Sequence, residues 1–347
     1  MLKRPSMQTN FSRRLVFLSA AALLALLLGL ALGSVGFSMK ELLAVLGNKV
    51  LRRPLPEAME PIHIAILWNI RIPRVLMAFL VGGSLAASGA VMQSILRNPL
   101  ASSYTVGVSS GASLMAALVI LTGVRLPWLG GQTVTLAAFL GALGTALLAM
   151  AFALRLSHSL ENQTIILVGM VLSLFVNALL TLLMALSRER LAQLIFWQMG
   201  SFSAQSWSNV GVMLLLMLGG LLVYLCFGAE LDLMSFGQDQ ALSAGVDIRR
   251  VKLLLLCVSA LLTGAAVSFV GVIGFIDLIA PHLVRRLFGA RHVRLVPLSA
   301  LLGGGFMALC DLVGRTALAP QEIPVGAVSA LIGAPFFLHL YFQRGRA

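Results

Sequence analysis

Apolar runs alternate with short polar or basic breaks along almost the whole chain. Segments long enough to cross, or nearly cross, about 30 Å of hydrocarbon fall at 15–36, 75–96, 106–122, 128–154, 164–186, 207–228, 251–270, 274–288, 295–312 and 325–342. This pattern predicts an all-α polytopic membrane protein with ten transmembrane helices, residues 1–347 forming one domain behind a tail over 1–14. The first run, behind Arg13 and Arg14, is longer than a secretory signal core and lacks an Ala-x-Ala site, so it is expected to be a retained span.

The stretch from Arg71 to Ser113 is the most informative. Arg71-Ile72-Pro73-Arg74 opens it, an apolar run comes next, and Arg97-Asn98-Pro99 halts that run before a Gly- and Ser-rich return to apolar sequence. A charge at the bilayer centre costs about 2.5 to 3.5 kcal/mol on an insertion scale. Arg71, Arg74 and Arg97 are therefore expected at or beyond the membrane faces, with a spanning helix between them.

The Arg71–Arg74 element, Gly82, Gly89, Gln93, Asn98-Pro99-Leu100-Ala101 and Gly107 through Ser109-Ser110-Gly111-Ala112 closely resemble the signature of the FecCD-like permeases, membrane subunits of ATP-driven importers for iron siderophores, haem and vitamin B12. Two further matches, Gly271 to Arg285 with Pro281-His282, and Glu322 to Gly326 followed by Gly333-Ala334-Pro335, carry the resemblance over nearly the whole chain. The resemblance implies a type II ABC importer permease fold.

Composition agrees: 59% of residues are hydrophobic and 11% charged, outside the range of soluble globular chains. The net charge of +13 would suggest nucleic acid in a soluble protein. Here the basic residues sit singly or in small groups between apolar runs and are read as topology signals, with no nucleic-acid partner. Ten spans put both termini on one side, and both are basic. Taking that side as cytoplasmic places fifteen of the 25 basic residues inside. Cys226, Cys257 and Cys310 lie within or at the ends of apolar segments with no CxxC spacing and no histidine cluster, so no metal or redox role is read from them.

Spans three and eight are the shortest and the most broken by Gly and Pro. They occupy corresponding places if spans two to five are compared with seven to ten, which gives inverted-repeat-like halves. Gly82, Gly83, Ala86 and Gly89 are expected to permit close helix approach.

The longest polar stretch on the inner face, 229–252, is expected to carry a short surface helix. Ser235-Phe236-Gly237-Gln238 has the form of a capping box, Asp239 suits the positive end of a helix, and Gly245 can end it. By resemblance, Ser235, Phe236, Gly237, Gln238, Asp239, Ala241, Gly245 and Val246 form a coupling loop docking on an ATPase. No GxxxxGK[ST] phosphate loop occurs in the chain, so the ATPase is expected to be a separate polypeptide.

The resemblance further implies that Arg71, Arg74 and Arg315 meet carboxylates of a substrate-binding protein. The alternative is that they anchor helix ends, with Asp311 and Glu322 able to hold Arg315 locally. Asn162 and Gln163 match the positions of a cytoplasmic gate. Asp277, at membrane depth, either lines the substrate path or is held by a backbone or hydroxyl partner. His282 is read as a packing or helix-end residue.

Taken as a whole, the resemblance implies a homodimeric permease in the bacterial inner membrane. It would work with two ATP-binding cassette subunits, which carry ATP and Mg while this chain binds no cofactor, and with a periplasmic or lipid-anchored binding protein that delivers a bulky iron chelate, siderophore or haem. A corrinoid is the alternative cargo within the family. From another class, an ion-coupled secondary transporter would need ionisable residues within its spans, and Asp277 is its strongest candidate.

Overall fold

The computed structural model describes residues 6–344 other than 34, 55–58, 130, 158 and 187–189. The charged side chains of Lys3, Arg4, Glu57, Arg188, Glu189, Arg344 and Arg346 lie outside what is described. Every one of the ten expected segments is helical: α1 (Ser6–Ala31), α4 (Ile72–Ile95), α5 (Val108–Thr122), α6 (Thr133–Leu156), α7 (Asn162–Leu186), α9 (Trp207–Cys226), α12 (Ile248–Val270), α13 (Ile276–Phe288), α14 (His292–Thr316) and α15 (Val325–Arg344). No strand occurs among the described residues.

Seven of these helices are long and apolar enough to cross a membrane: α1, α4, α6, α7, α9, α12 and α14. The 15 residues of α5 and the 13 of α13 reach only about 22 and 20 Å at ~1.5 Å per residue. Both begin after a residue with left-handed backbone, Gly107 at φ 89° and Phe275 at φ 71°. The stretches that lead into them, 101–107 with a 3-10 turn at Ser103–Val106 and the irregular 271–275, are largely shielded by protein, the condition under which irregular backbone is tolerated at membrane depth. That shared construction fits the inverted-repeat reading of the two halves.

The polar segment after α1 holds more helix than its sequence pattern suggested. Helices α2 (Met39–Leu51) and α3 (Pro61–Ala65) precede a π-helical turn, Ile66–Arg71, which runs into α4. Ser38 and Glu41 form a reciprocal capping box on α2, and its hydrogen bonds hold the exposed Glu41 carboxyl below its usual pKa. The π turn has a local cause. Pro73 lacks an N–H and its ring crowds the carbonyl four residues back, so the backbone widens just ahead of it. Phe37, Leu42, Val45, Leu67 and Ile72 close a small apolar cluster beneath this cap. Helix α8 (Leu191–Met199) and the pair α10 (Gly228–Phe236) and α11 (Gln238–Ser243) complete the chain.

The spine is α4, buried along nearly its full length. It packs on α14 where Gly82 faces Gly303: a Cβ on Gly82 would strike the Gly303 carbonyl, and one on Gly303 would strike Ala86 and the Gly82 carbonyl. At Gly89 a Cβ would land on the carbonyl of Asp277, so the start of α13 lies directly on α4. Lipid tails are as apolar as the side chains, and such backbone proximity is the main source of helix cohesion in a membrane. By contrast α1 and α7 are buried over only about a fifth of their apolar windows; Leu167, Val171, Leu174 and Phe175 of α7 face outward.

Gly89→Val is therefore expected to destabilise the protein by about 3 kcal/mol or more through overpacking against backbone. Gly219→Val on α9, where no atom lies within 4 Å of the added Cβ, should stay within about 0.5 kcal/mol of the parent. Thermal unfolding in detergent measures both, and a Gly89→Val protein as stable as the parent would contradict the α4–α13 contact.

Candidate coupling and gating site

Two polar assemblies mark opposite ends of α4. At its start, Arg74 donates to both carboxylates within reach: Nε to Asp311 Oδ1 at 2.9 Å, Nη1 to Glu322 Oε1 at 2.7 Å and Nη2 to Glu322 Oε2 at 3.1 Å. Asp311 is 0% exposed and also faces Arg315 Nε at 3.5 Å. Arg315 further donates to the Gly29 carbonyl of α1. Among the described residues Arg71 has no carboxylate contact; its Nη1 donates to Val35 O at 2.5 Å and Leu30 O at 3.2 Å, and its guanidinium lies 4.8 Å over the Phe37 ring.

Arg71, Arg74 and Arg315 are thus all buried and engaged within the chain. In this conformation they tie α1, α4, α14 and the segment before α15 together, the helix-anchoring alternative of the sequence reading. The expected local partner also differs: Glu322 binds Arg74 rather than Arg315. The fork geometry of guanidinium on carboxylate explains the choice, since two parallel N–H groups of Arg74 match both Glu322 oxygens.

At the far end of α4, α10 is fastened by a relay. His292 takes Asp232 of α10 through its backbone N–H at 2.9 Å and its ring Nδ1 at 2.6 Å. Its Nε2 meets Ser94 Oγ at 2.7 Å. Arg285 donates to Ala90 O, Ser94 Oγ and Gln93 Oε1, while Gln93 Nε2 donates to the Asp277 carbonyl at 3.2 Å. None of His292, Asp232 or Ser94 stood out in the sequence. They are far apart along the chain and match no motif.

Beyond α10 the chain breaks at Gly237 and α11 begins. Ser235 does not form the expected capping box. Helix α10 continues through Phe236, so Ser235 lies in its last turn and its hydroxyl donates back to Leu231 O at 2.8 Å. The cap of α11 is Gly237, with no side-chain bond. The expected ending holds. Gly245 has φ 86°, its N–H bonds Leu242 O at 2.9 Å and the Val246 N–H bonds Ala241 O at 3.0 Å, the paired bonds of a Schellman motif. Asp239 is exposed in the first turn, and Ala241 is buried against the bundle. Phe236 is 77% exposed and Leu242 57%.

The residues expected to gate and those expected to couple meet. Gln238 Nε2 donates to Asn162 Oδ1 at 3.3 Å, and the same oxygen accepts from Lys252 Nζ at 2.8 Å. Lys252 also donates to Leu160 O at 2.7 Å. It is 0% exposed, although the sequence suggested only a topology charge. Its position in the first turns of an apolar helix, with two arginines before it, gave no sign that it turns inward. Gln163, the other gate candidate, is exposed.

Asp277 is 3% exposed in the first turn of α13. Ser102 and the start of its own helix lie near its carboxylate, where the helix dipole favours an anion, and its Oδ2 is buried with no hydrogen-bond partner among the described residues. His282 stacks edge-on with Phe337 at 6.3 Å between centroids. Among the described residues no group of three or more His, Cys, Asp or Glu side chains is placed to hold a metal.

Known proteins share this chain's sequence and fold over most of its length. A family model described as the FecCD transport family matches residues 21–343. The cobalamin import system permease protein of Halobacterium salinarum is 40% identical over 279 residues, 80% of this chain and 74% of that one. The hemin transport system permease protein of Yersinia pestis is 38% identical over 281 residues, 80% of this chain and 84% of its own. Siderophore and molybdate also occur in the names of matching relatives. A solved structure, described as an inward-facing conformation of a metal-chelate type ABC transporter, superimposes with a TM-score of 0.83 at 31% identity, covering 96% of this chain and all of that one.

Removing Asp311 leaves the buried Arg315 with no carboxylate and Arg74 with Glu322 alone, so Asp311→Ala is expected to cost about 3 to 5 kcal/mol. Glu322→Ala, whose side chain is 44% exposed, should cost about 1 kcal/mol or less. Melting in detergent that ranked the two equally would contradict the assignment of Asp311 as the keystone of this cluster.

Proposed function

The chain belongs to the FecCD transport family, and from that premise we propose that it is the permease of a binding-protein-dependent importer whose cargo is a bulky iron chelate, a siderophore or haem. It is a multi-pass membrane permease of the ABC type, not an enzyme; ATP and Mg are held by separate ATPase subunits. Two copies enclose one path on their symmetry axis, each docking an ATPase at α10–α11, in the inner membrane with both termini cytoplasmic. A corrinoid is the alternative cargo, supported by the likeness to the cobalamin permease.

The observation that carries this reading is the surface of α10–α11. Phe236 and Leu242 are large, apolar and exposed beside the exposed Asp239. That pattern suits a protein partner better than lipid. The helix behind them is bonded through Gln238 to the first residue of α7, so force applied there reaches a span. ATP binding and hydrolysis would then shift populations between outward- and inward-open states.

Delivery is proposed at the other end, where Arg74 and Arg315 share two carboxylates and Arg71, bonded to carbonyls, adds a third positive charge. A binding protein's carboxylates would be drawn to that excess positive charge and would compete with the exposed Glu322 for Arg74. Charge reversal at Arg71 or Arg74 would disturb folding and docking together, so the coupling surface offers the cleaner test. The ion-coupled reading would rest on Asp277, its strongest ionisable candidate within a span, and membership of the FecCD transport family favours the ATP-driven reading over it.

Phe236→Asp is expected to weaken association with the partner ATPase by roughly 30-fold or more, the loss of a central aromatic anchor, with membrane insertion and melting temperature unchanged. Co-purification and ATP-driven, vanadate-sensitive uptake in proteoliposomes measure it. Uptake by the purified chain with no ATPase present would overturn the reading.

A further inference from the structure

We propose that Lys252 is a positioning residue that transmits movement of α11 to α7, acting with Gln238 as a clamp on Asn162; this rests on the importer reading above. The clamp is built from one continuous piece of chain. Helix α11, its Schellman turn at Gly245–Val246 and the start of α12 succeed one another without slack. Asp247 caps α12 by accepting from the Arg250 N–H at 3.1 Å, and Lys252 lies two residues beyond Arg250. Gln238 at one end of this piece and Lys252 at the other donate to the same oxygen, Asn162 Oδ1.

Lys252 has a second hold. Leu160 takes a left-handed backbone at φ 52°, and its carbonyl accepts from the Lys252 ammonium. The ammonium therefore grips the α6–α7 turn and the first residue of α7 at once. Its direct acceptors are neutral carbonyl oxygens. Glu161 is the nearby carboxylate, and it is exposed. A buried cation held by neutral groups depends on short contacts at fixed positions, so the contacts must move together or break.

The gripped element is suited to respond. Helix α7 is among the least buried of the long helices. Its close backbone approach at Gly169, where an added Cβ would strike the Thr105 carbonyl, lies about two turns from Asn162. A displacement of α11 by a docked ATPase would thus reach Asn162 from two sides and shift α7 as a unit, while the packed α4–α14 pair stays still.

The test uses the assembled transporter, with its ATPase and binding protein, in proteoliposomes. Lys252→Met keeps the length and removes the donors. It is expected to raise the ATP hydrolysed per substrate moved by roughly tenfold, within the usual 5- to 150-fold range of site coupling, while the subunits remain assembled. Lys252→Arg should restore most of the ratio, which a merely structural loss would not do. Asn162→Leu, which removes the shared acceptor from the α7 side, should raise the ratio likewise and serves if Lys252→Met does not fold. A parental ratio in either folded variant, or loss of assembly in step with loss of uptake, would overturn the clamp. Absence of ATP-dependent uptake by the unsubstituted assembly would overturn the importer reading and the clamp with it.

Discussion

Charge that leaves water must be held by the chain itself, and the architecture is arranged around that demand. Asp311, fully buried, stands between Arg74 and Arg315. Through them it connects α4 and α14 with the carbonyl end of α1. At the opposite end, His292 opens α14 and joins Ser94 near the end of α4 to Asp232 of α10. Helices α4 and α14 are thus pinned to each other at both ends by polar groups. Between the pins lie residues small enough for backbone to touch backbone, Gly82 against Gly303.

This arrangement divides the bundle mechanically. The pinned pair, with α13 pressed on Gly89, has little freedom, because interiors packed through backbone atoms transmit strain rather than absorb it. Helix α7 packs through Ile165, Gly169, Val176 and Leu180 and turns most of its remaining apolar surface outward. The pair α10–α11 bridges the two parts, bonded to the rigid part through Asp232 and to α7 through Gln238 and the neighbouring Lys252.

Polar side chains here do more than supply cohesion. Arg71, Arg74 and Arg315 sit where a basic residue can satisfy helix-end carbonyls and a buried carboxylate at once. Guanidinium outnumbers carboxylate at that end, and Glu322 is the most exposed member of the cluster.

The sequence by itself determined the seven long spans, since an apolar helix of about 20 residues crosses hydrocarbon and such a run is readable without any knowledge of neighbours. It also determined the family, through closely spaced Gly, Pro and Arg positions, and the end of α11, because a left-handed turn after a helix favours glycine. Only the tertiary structure decided where polar groups go. Lys252 reads as one more basic residue at a helix start until α11 and the α6–α7 turn fold over it. Ser235 reads as a cap until α10 is seen to run one residue further. The pairing of Arg74 with Glu322, 248 positions away, is set by no local pattern. Local signals report on a residue and its near neighbours, whereas the partner of a buried charge is chosen by which distant segment the packing brings within about 3 Å.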